Sequence, residues 1–300
     1  MIHTRPWFGV ALAFTVAGTF AAGSALAGLA FRHGTDPLTV TTVRTCAAAL
    51  TLFVALRVRG SQIVLPRRAR HAALALGSLV AFYSWSLYQA VSLMPVALAV
   101  LTFYLYPLMT GVVAWTTGRE RFTARAAGAL GLAFLGLALA LNLSGGTMPA
   151  PLGIAFALAA AFGFTAQLVL SSVVMARNPP RPVTVHMLGS AAVLYALICV
   201  VLGHFRVPDD AVGWLGLGGT TLSYVCGAIG LYTAIALLGP VKSALVLNIE
   251  PVYSMVFGYL LLGQTLTAIQ IVGAALVVGG ITLGRAPRPA AQLSKPATSA

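Results

Sequence analysis

The sequence predicts an all-helical integral membrane protein with about ten spans in two five-helix halves. Composition, the spacing of apolar runs and an internal repeat carry that expectation. Hydrophobic residues are 59% of the chain and charged residues 8%, whereas about a quarter of a soluble domain is charged. Mean hydropathy is +0.94. Runs of roughly 20 apolar residues, enough to cross about 30 Å of hydrocarbon, recur between short polar breaks. Period-2 alternation is absent, and irregular backbone cannot be satisfied in lipid, so the runs are helices rather than barrel strands.

Taken in order, the first span, 7–30, ends in SALAGLA, which imitates a signal-peptidase site. Its uncharged run of about 24 residues exceeds the usual hydrophobic region of a signal peptide, so it is read as a retained helix. The second, 38–56, carries Arg44, and the third, 72–93, follows the basic stretch RVRGSQIVLPRRARH. The fourth, 95–117, opens on Pro95 and contains Pro107; the fifth, 124–142, is thinned by Gly131 and Gly136. The sixth, 151–175, holds the lone amide Gln167, and 184–203 and 212–237 follow as seventh and eighth. The ninth, 240–262, contains Glu250 and Pro251, and the tenth, 268–285, carries Gly280 and Gly284 in a GxxxG spacing that lets backbones approach closely. Whether that approach lies within the bundle or across a dimer stays open. The tail RAPRPAAQLSKPATSA lacks periodicity and is expected to be disordered.

The net charge of +13 is distributed asymmetrically. With Arg5 cytoplasmic, the cytoplasmic segments collect Arg57, Arg59, Arg67, Arg68, Arg70, Arg119, Arg121, Arg125, Arg177, Arg181, Arg285, Arg288 and Lys295, leaving Arg32 and Arg206 on the other side. This positive-inside bias places both termini in the cytoplasm and explains the charge without nucleic acid. Cys46, Cys199 and Cys226 fall within spans without paired spacing, so neither a disulfide framework nor a metal site is indicated. The histidines sit at or near span ends, and HExxH, GxSxG and GxxxxGK are absent, which argues against an enzyme and a nucleotide-driven pump. No cofactor is expected. Rings of like charge and carbonyl-rich filter sequence, the marks of a channel, are also missing.

The repeat is legible residue by residue. YQAVSLMPVALAVLTFYLYP aligns with YTAIALLGPVKSALVLNIEP, so Tyr88 answers Tyr232, Pro95 answers Pro240 and Pro107 answers Pro251. Gly118 and Gly128 answer Gly263 and Gly273, at an offset of about 144 residues, half the chain. Five helices per half is an odd number, so the second copy crosses the membrane in the opposite sense. The loops agree: GRERFTAR after the fourth helix is basic, and its counterpart GQTLTA is stripped of charge. The expected units are 1–145, 146–286 and the tail 287–300.

A proline-led helix, a mid-helix YP or EP, a glycine near the helix end and a glycine-rich helix after it resemble the EamA family of the drug/metabolite transporter superfamily. The resemblance covers both halves, roughly 10–285. Arg44 in TTVRTCAAALTLF is similar to that family's arginine in the second helix, and LNIEPVYSMVFGYLLLGQ resembles its ninth-helix signature. Where the family often has Gly-Glu after the ninth helix, this chain has Gly263 and Gln264. The resemblance implies ten helices around a central cavity, with export or exchange of small metabolites such as amino acids, in a bacterial inner membrane.

Glu250 lies about ten residues, or roughly 15 Å, from Pro240, near the bilayer midplane. A charge facing lipid there costs several kcal/mol, so it faces protein, water or substrate. Pro107 and Pro251 break their helices at matching positions, where backbone can meet a cavity. Helical spacing puts Ser254 on the face of Glu250 with Tyr253 nearby, and Phe103 around Tyr106 on the matching face of the fourth helix, making Tyr106 the counterpart of Glu250. Glu250 is then a proton-titrating or amine-binding group, or else it holds the helix bend by bonding Asn248, Ser254 or another helix. Arg44 is expected to snorkel toward the periplasmic end, the alternative being an inward turn toward a carboxylate or Glu250. Tyr83, Trp85, Tyr88, Gln89, Tyr104, Trp115, Tyr224 and Tyr232 add polar aromatic and amide tips; of these Tyr88 and Tyr232, like Tyr106 and Tyr253, are deep or symmetry-related. Such a lining suits a zwitterion with an apolar side chain. The expected partners are a small-molecule substrate and the lipid bilayer, with monomer or homodimer undecided.

Overall fold

The computed structural model describes residues 6–116, 124–140, 150–203, 205–238 and 249–284. Among these the regular structure is helical: α1 (Pro6–Arg32), α2 (Pro37–Val58), α3 (Arg67–Leu93), α4 (Val96–Phe103), α5 (Tyr106–Thr116), α6 (Ala124–Ala140), α7 (Pro151–Met175), α8 (Pro180–Leu202), α9 (Ala211–Leu238), α10 (Glu250–Leu262) and α11 (Ala268–Gly284). Seven spans, the α4–α5 unit counted as one, are long and apolar enough to cross a membrane; α10 and α11 are shorter apolar helices. Each of the ten expected spans coincides with described helix, the ninth only from Glu250 onward. The C-terminal tail lies outside the described residues.

Two starts differ from expectation. α3 begins at Arg67 rather than 72 and α8 at Pro180 rather than 184. Hydropathy marks where hydrocarbon begins, whereas helical hydrogen bonding continues into the polar RRARH and PRPV turns.

Local chemistry fixes the helix ends. Asp36 caps α2 by accepting from the Thr39 N–H at 2.8 Å, with Pro37 at the first helical position. Replacing Asp36 with alanine is expected to cost about 1 kcal/mol of stability, and asparagine to cost little; thermal denaturation of the purified variants checks this. The turn before α2 passes through Gly34 at φ +92°, where a side chain would also strike the Asp209 carboxylate.

The packing is matched between halves. α1 packs on α9 as α3 packs on α7, α2 on α9 as α3 on α8, and α1 on α10 as α4 on α7. The pairs α2 with α8, α4 with α10 and α6 with α11 map onto themselves when the halves are exchanged. α6 and α11 touch backbone to backbone: a Cβ on Gly136 would lie 2.6 Å from the Gly273 carbonyl, and one on Gly280 would lie 2.8 Å from that of Ala129. The close approach of these glycines is therefore within the chain. Gly131 has open space beside it.

At one end of the bundle the loops interlock. Arg32 donates to the Leu262 carbonyl at 2.8 Å, His33 Nδ1 lies 2.8 Å from Asp210, and the Asp209 N–H donates to the His33 carbonyl. Asp210 also caps α9 through the Gly213 N–H; that bond first, then His33, holds its carboxyl below the usual range. The Gln264 amide oxygen, found where a loop glutamate was the familiar pattern, accepts from the Val96 N–H at the start of α4.

Candidate functional site

Pro107 cannot return an N–H to Phe103, and the fourth helix breaks there. α4 stops at Phe103, the Leu105 N–H turns to the Thr102 carbonyl at 3.1 Å, and α5 starts at Tyr106. Tyr104 sits in the gap. Its hydroxyl donates to Glu250 Oε2 at 2.6 Å, a length typical of a hydroxyl bonded to a carboxylate. Glu250 is the first residue of α10 and Pro251 the second. A carboxylate at the start of α10 thus meets the break between α4 and α5.

Tyr106 precedes Pro107 as Glu250 precedes Pro251, which makes it the counterpart of Glu250 in the repeat; the hydroxyl that meets the carboxylate belongs to Tyr104, in the break two residues earlier. Tyr106 instead joins an aromatic wall, with ring centroids 5.3 Å from Phe103, 5.5 Å from Tyr104 and 4.7 Å from Phe164. Tyr83 of α3 extends the wall, 4.9 Å from Phe164. Thr165 Oγ1 donates to the Tyr106 carbonyl at 3.2 Å, bringing α7 to the break. Phe164 and Thr165 went unnoticed in the sequence, since nothing in α7 alone points to a break in another helix.

Arg44 does not snorkel. It is 5% exposed, and its guanidinium carbon lies 4.2 Å from the Tyr88 ring centroid and 4.1 Å from that of Tyr224. Ser84 Oγ accepts from one terminal nitrogen. Neither the hydrogen bonds nor the ion pairs of the described residues join Arg44 to Glu250.

The remaining candidates are dispersed. Ser254, one turn after Glu250, is buried with an unpartnered hydroxyl among the described residues. Tyr253 lines a cleft of about 450 Å³ with Phe14 and Thr19 of α1, Ser223 of α9 and Phe257. Tyr88 is buried, its hydroxyl 3.4 Å from Thr220 Oγ1, and Gln167 is buried in α7. Asn248 and the side chain of Tyr232 lie outside the described residues.

Comparison with known proteins places this arrangement. The EamA-like transporter family matches residues 7–142 and again 151–284. An uncharacterized transporter of Synechocystis is 24% identical over 217 residues, covering 70% of this chain and 65% of that protein. An uncharacterized transporter of Archaeoglobus fulgidus is 29% identical over 190 residues, covering 63% of this chain and 66% of that protein. The alignments thus span just under two thirds of these relatives' lengths. A solved crystal structure at 23% identity shares the fold over 91% of this chain and 95% of its own, with a TM-score of 0.65.

Proposed function

Because this chain belongs to the EamA-like transporter family, and with it to the drug/metabolite transporter superfamily, we propose that it is a secondary transporter of small organic metabolites. The substrates are amino acids or related amphipathic compounds, exported or exchanged by alternating access at a site near the membrane midplane. The observation that carries this reading is the bond from Tyr104 to Glu250, which joins the break between α4 and α5 in the first half to the start of α10 in the second. A proton or substrate amine that takes over the carboxylate competes with that bond, so occupancy of the site biases how the halves sit against each other.

Further support comes from the matched packing partners and from the corresponding loops, one basic and the other uncharged, as expected of two five-helix units, 1–145 and 146–286, inserted in opposite senses. The basic loops set both termini in the cytoplasm of a bacterial inner membrane. The aromatic wall beside Glu250 also favours a second reading, an exporter of organic cations, because ring faces and a carboxylate together receive an amine.

Counterflow in proteoliposomes tests the proposal. Vesicles loaded with an unlabelled amino acid are expected to accumulate the labelled compound transiently above equilibrium, and protein-free vesicles to show none. Labelled organic cations, nucleosides and sugars follow in the same format. Failure of every class overturns the transporter reading.

A further inference from the structure

We infer that Arg44 is the receptor for a carboxylate on the transported compound, held ready between the rings of Tyr88 and Tyr224. This assignment rests on the transport reading above and adds the anionic group the substrate carries. A guanidinium deep in a membrane protein is costly unless its charge is met, and the described acids are engaged elsewhere. Asp36 caps α2, Asp210 pairs with His33 and caps α9, Asp209 sits against Gly34, and Glu250 holds Tyr104. Arg44 therefore has aromatic faces and one serine for company, and no carboxylate among the described residues.

Its geometry suits an incoming anion. Two ring centroids within about 4 Å of the guanidinium carbon hold the charge by cation–π contact without satisfying its N–H groups. One terminal nitrogen bonds Ser84, but Nε is buried with no partner among the described residues. A buried donor left unpaired is destabilising, and a carboxylate can satisfy Nε and a terminal nitrogen together as a two-pronged acceptor. Val43 and Val225, the sequence neighbours of Arg44 and Tyr224, line an open cleft of about 370 Å³ between α2 and α9. The cleft thus runs beside the two helices that present the cation and one of its rings, and its lining stops at Val43 and Val225, one residue short of the buried Arg44 and of Tyr224.

The experiment pairs each acid with its neutralised analogue: leucine with leucinamide, phenylalanine with phenylalaninamide, and 4-methylvalerate with its amide. Ligand-induced thermal stabilisation of the purified full chain and counterflow in proteoliposomes are measured for wild type, Arg44→Gln and Arg44→Lys. Wild type is expected to prefer acids over amides by roughly tenfold or more. Arg44→Gln is expected to lose that preference while still responding to amides, and Arg44→Lys to keep part of it. If Arg44→Gln does not fold, the expected partial loss in Arg44→Lys, which keeps the charge without the planar fork, decides.

Equal responses to acids and amides in wild type overturn the assignment. So does an acid preference that survives the loss of the guanidinium, since a purely structural arginine would affect both members of each pair alike. Acid-selective stabilisation without exchange of any compound would instead count against transport and leave the carboxylate receptor standing.

Discussion

Gly273→Leu is expected to prevent a stable bundle from forming, whereas Gly131→Leu is expected to be tolerated. At Gly273 a Cβ would fall onto the backbone nitrogen of Ala140, within 2.5 Å of the Gly136 carbonyl and 2.8 Å from the Ala140 Cα. Backbone atoms cannot rotate aside, so α6 and α11 have to separate. In lipid this removes much of what holds them, because close van der Waals contact replaces the hydrophobic drive between helices. The cost is about 3 kcal/mol or more, a large share of the roughly 5–15 kcal/mol that keeps a typical domain folded. Gly131 has nothing within 4 Å of its Cβ position, and leucine there improves helix propensity by up to about 1 kcal/mol. Size-exclusion profiles and thermal denaturation in detergent separate the outcomes. Equal behaviour of the two variants would mean that the α6–α11 contact contributes little.

The sequence made the helices legible because each depends on its own residues: an apolar run long enough for the membrane, closed by Asp36, Gly203 or Gly263. It also exposed Glu250, since a carboxylate within an apolar run is conspicuous wherever the helix packs. What it hid were relations between distant segments. Arg44 reads as a snorkelling cation because it lies about six residues inside the end of its own helix, close enough to reach the surface; its burial comes from Ser84 and Tyr88 on α3 and Tyr224 on α9. Tyr104 reads as one polar ring among several, and nothing in its own helix marks it as the partner of Glu250. A break of two residues, which a proline announces without fixing its geometry, presents its hydroxyl to the carboxylate.

Glu250→Gln is expected to flatten the pH dependence of exchange and to lower its rate by roughly tenfold or more, as suits a hydrogen bond to a charged group worth about 1.5–3 kcal/mol. Glutamine keeps an oxygen that can accept from Tyr104, so the bridge between the halves can persist, but it cannot bind and release a proton in the working range. Tyr104→Phe does the reverse: it preserves the carboxylate and the ring while removing the 2.6 Å bond. That variant is expected to retain a pH response with an altered rate. Because both substitutions act on the same bond, the double variant is expected to be no slower than the slower single one, whereas independent residues would multiply their losses. Tyr106→Phe supplies the comparison at the symmetry counterpart of Glu250, and it is expected to leave the pH response in place because its ring packs against Phe103 and Phe164. Should Glu250→Gln exchange substrate at the normal rate with its pH profile unchanged, the carboxylate does no more than anchor α10 to the break between α4 and α5, and coupling has to reside in another group.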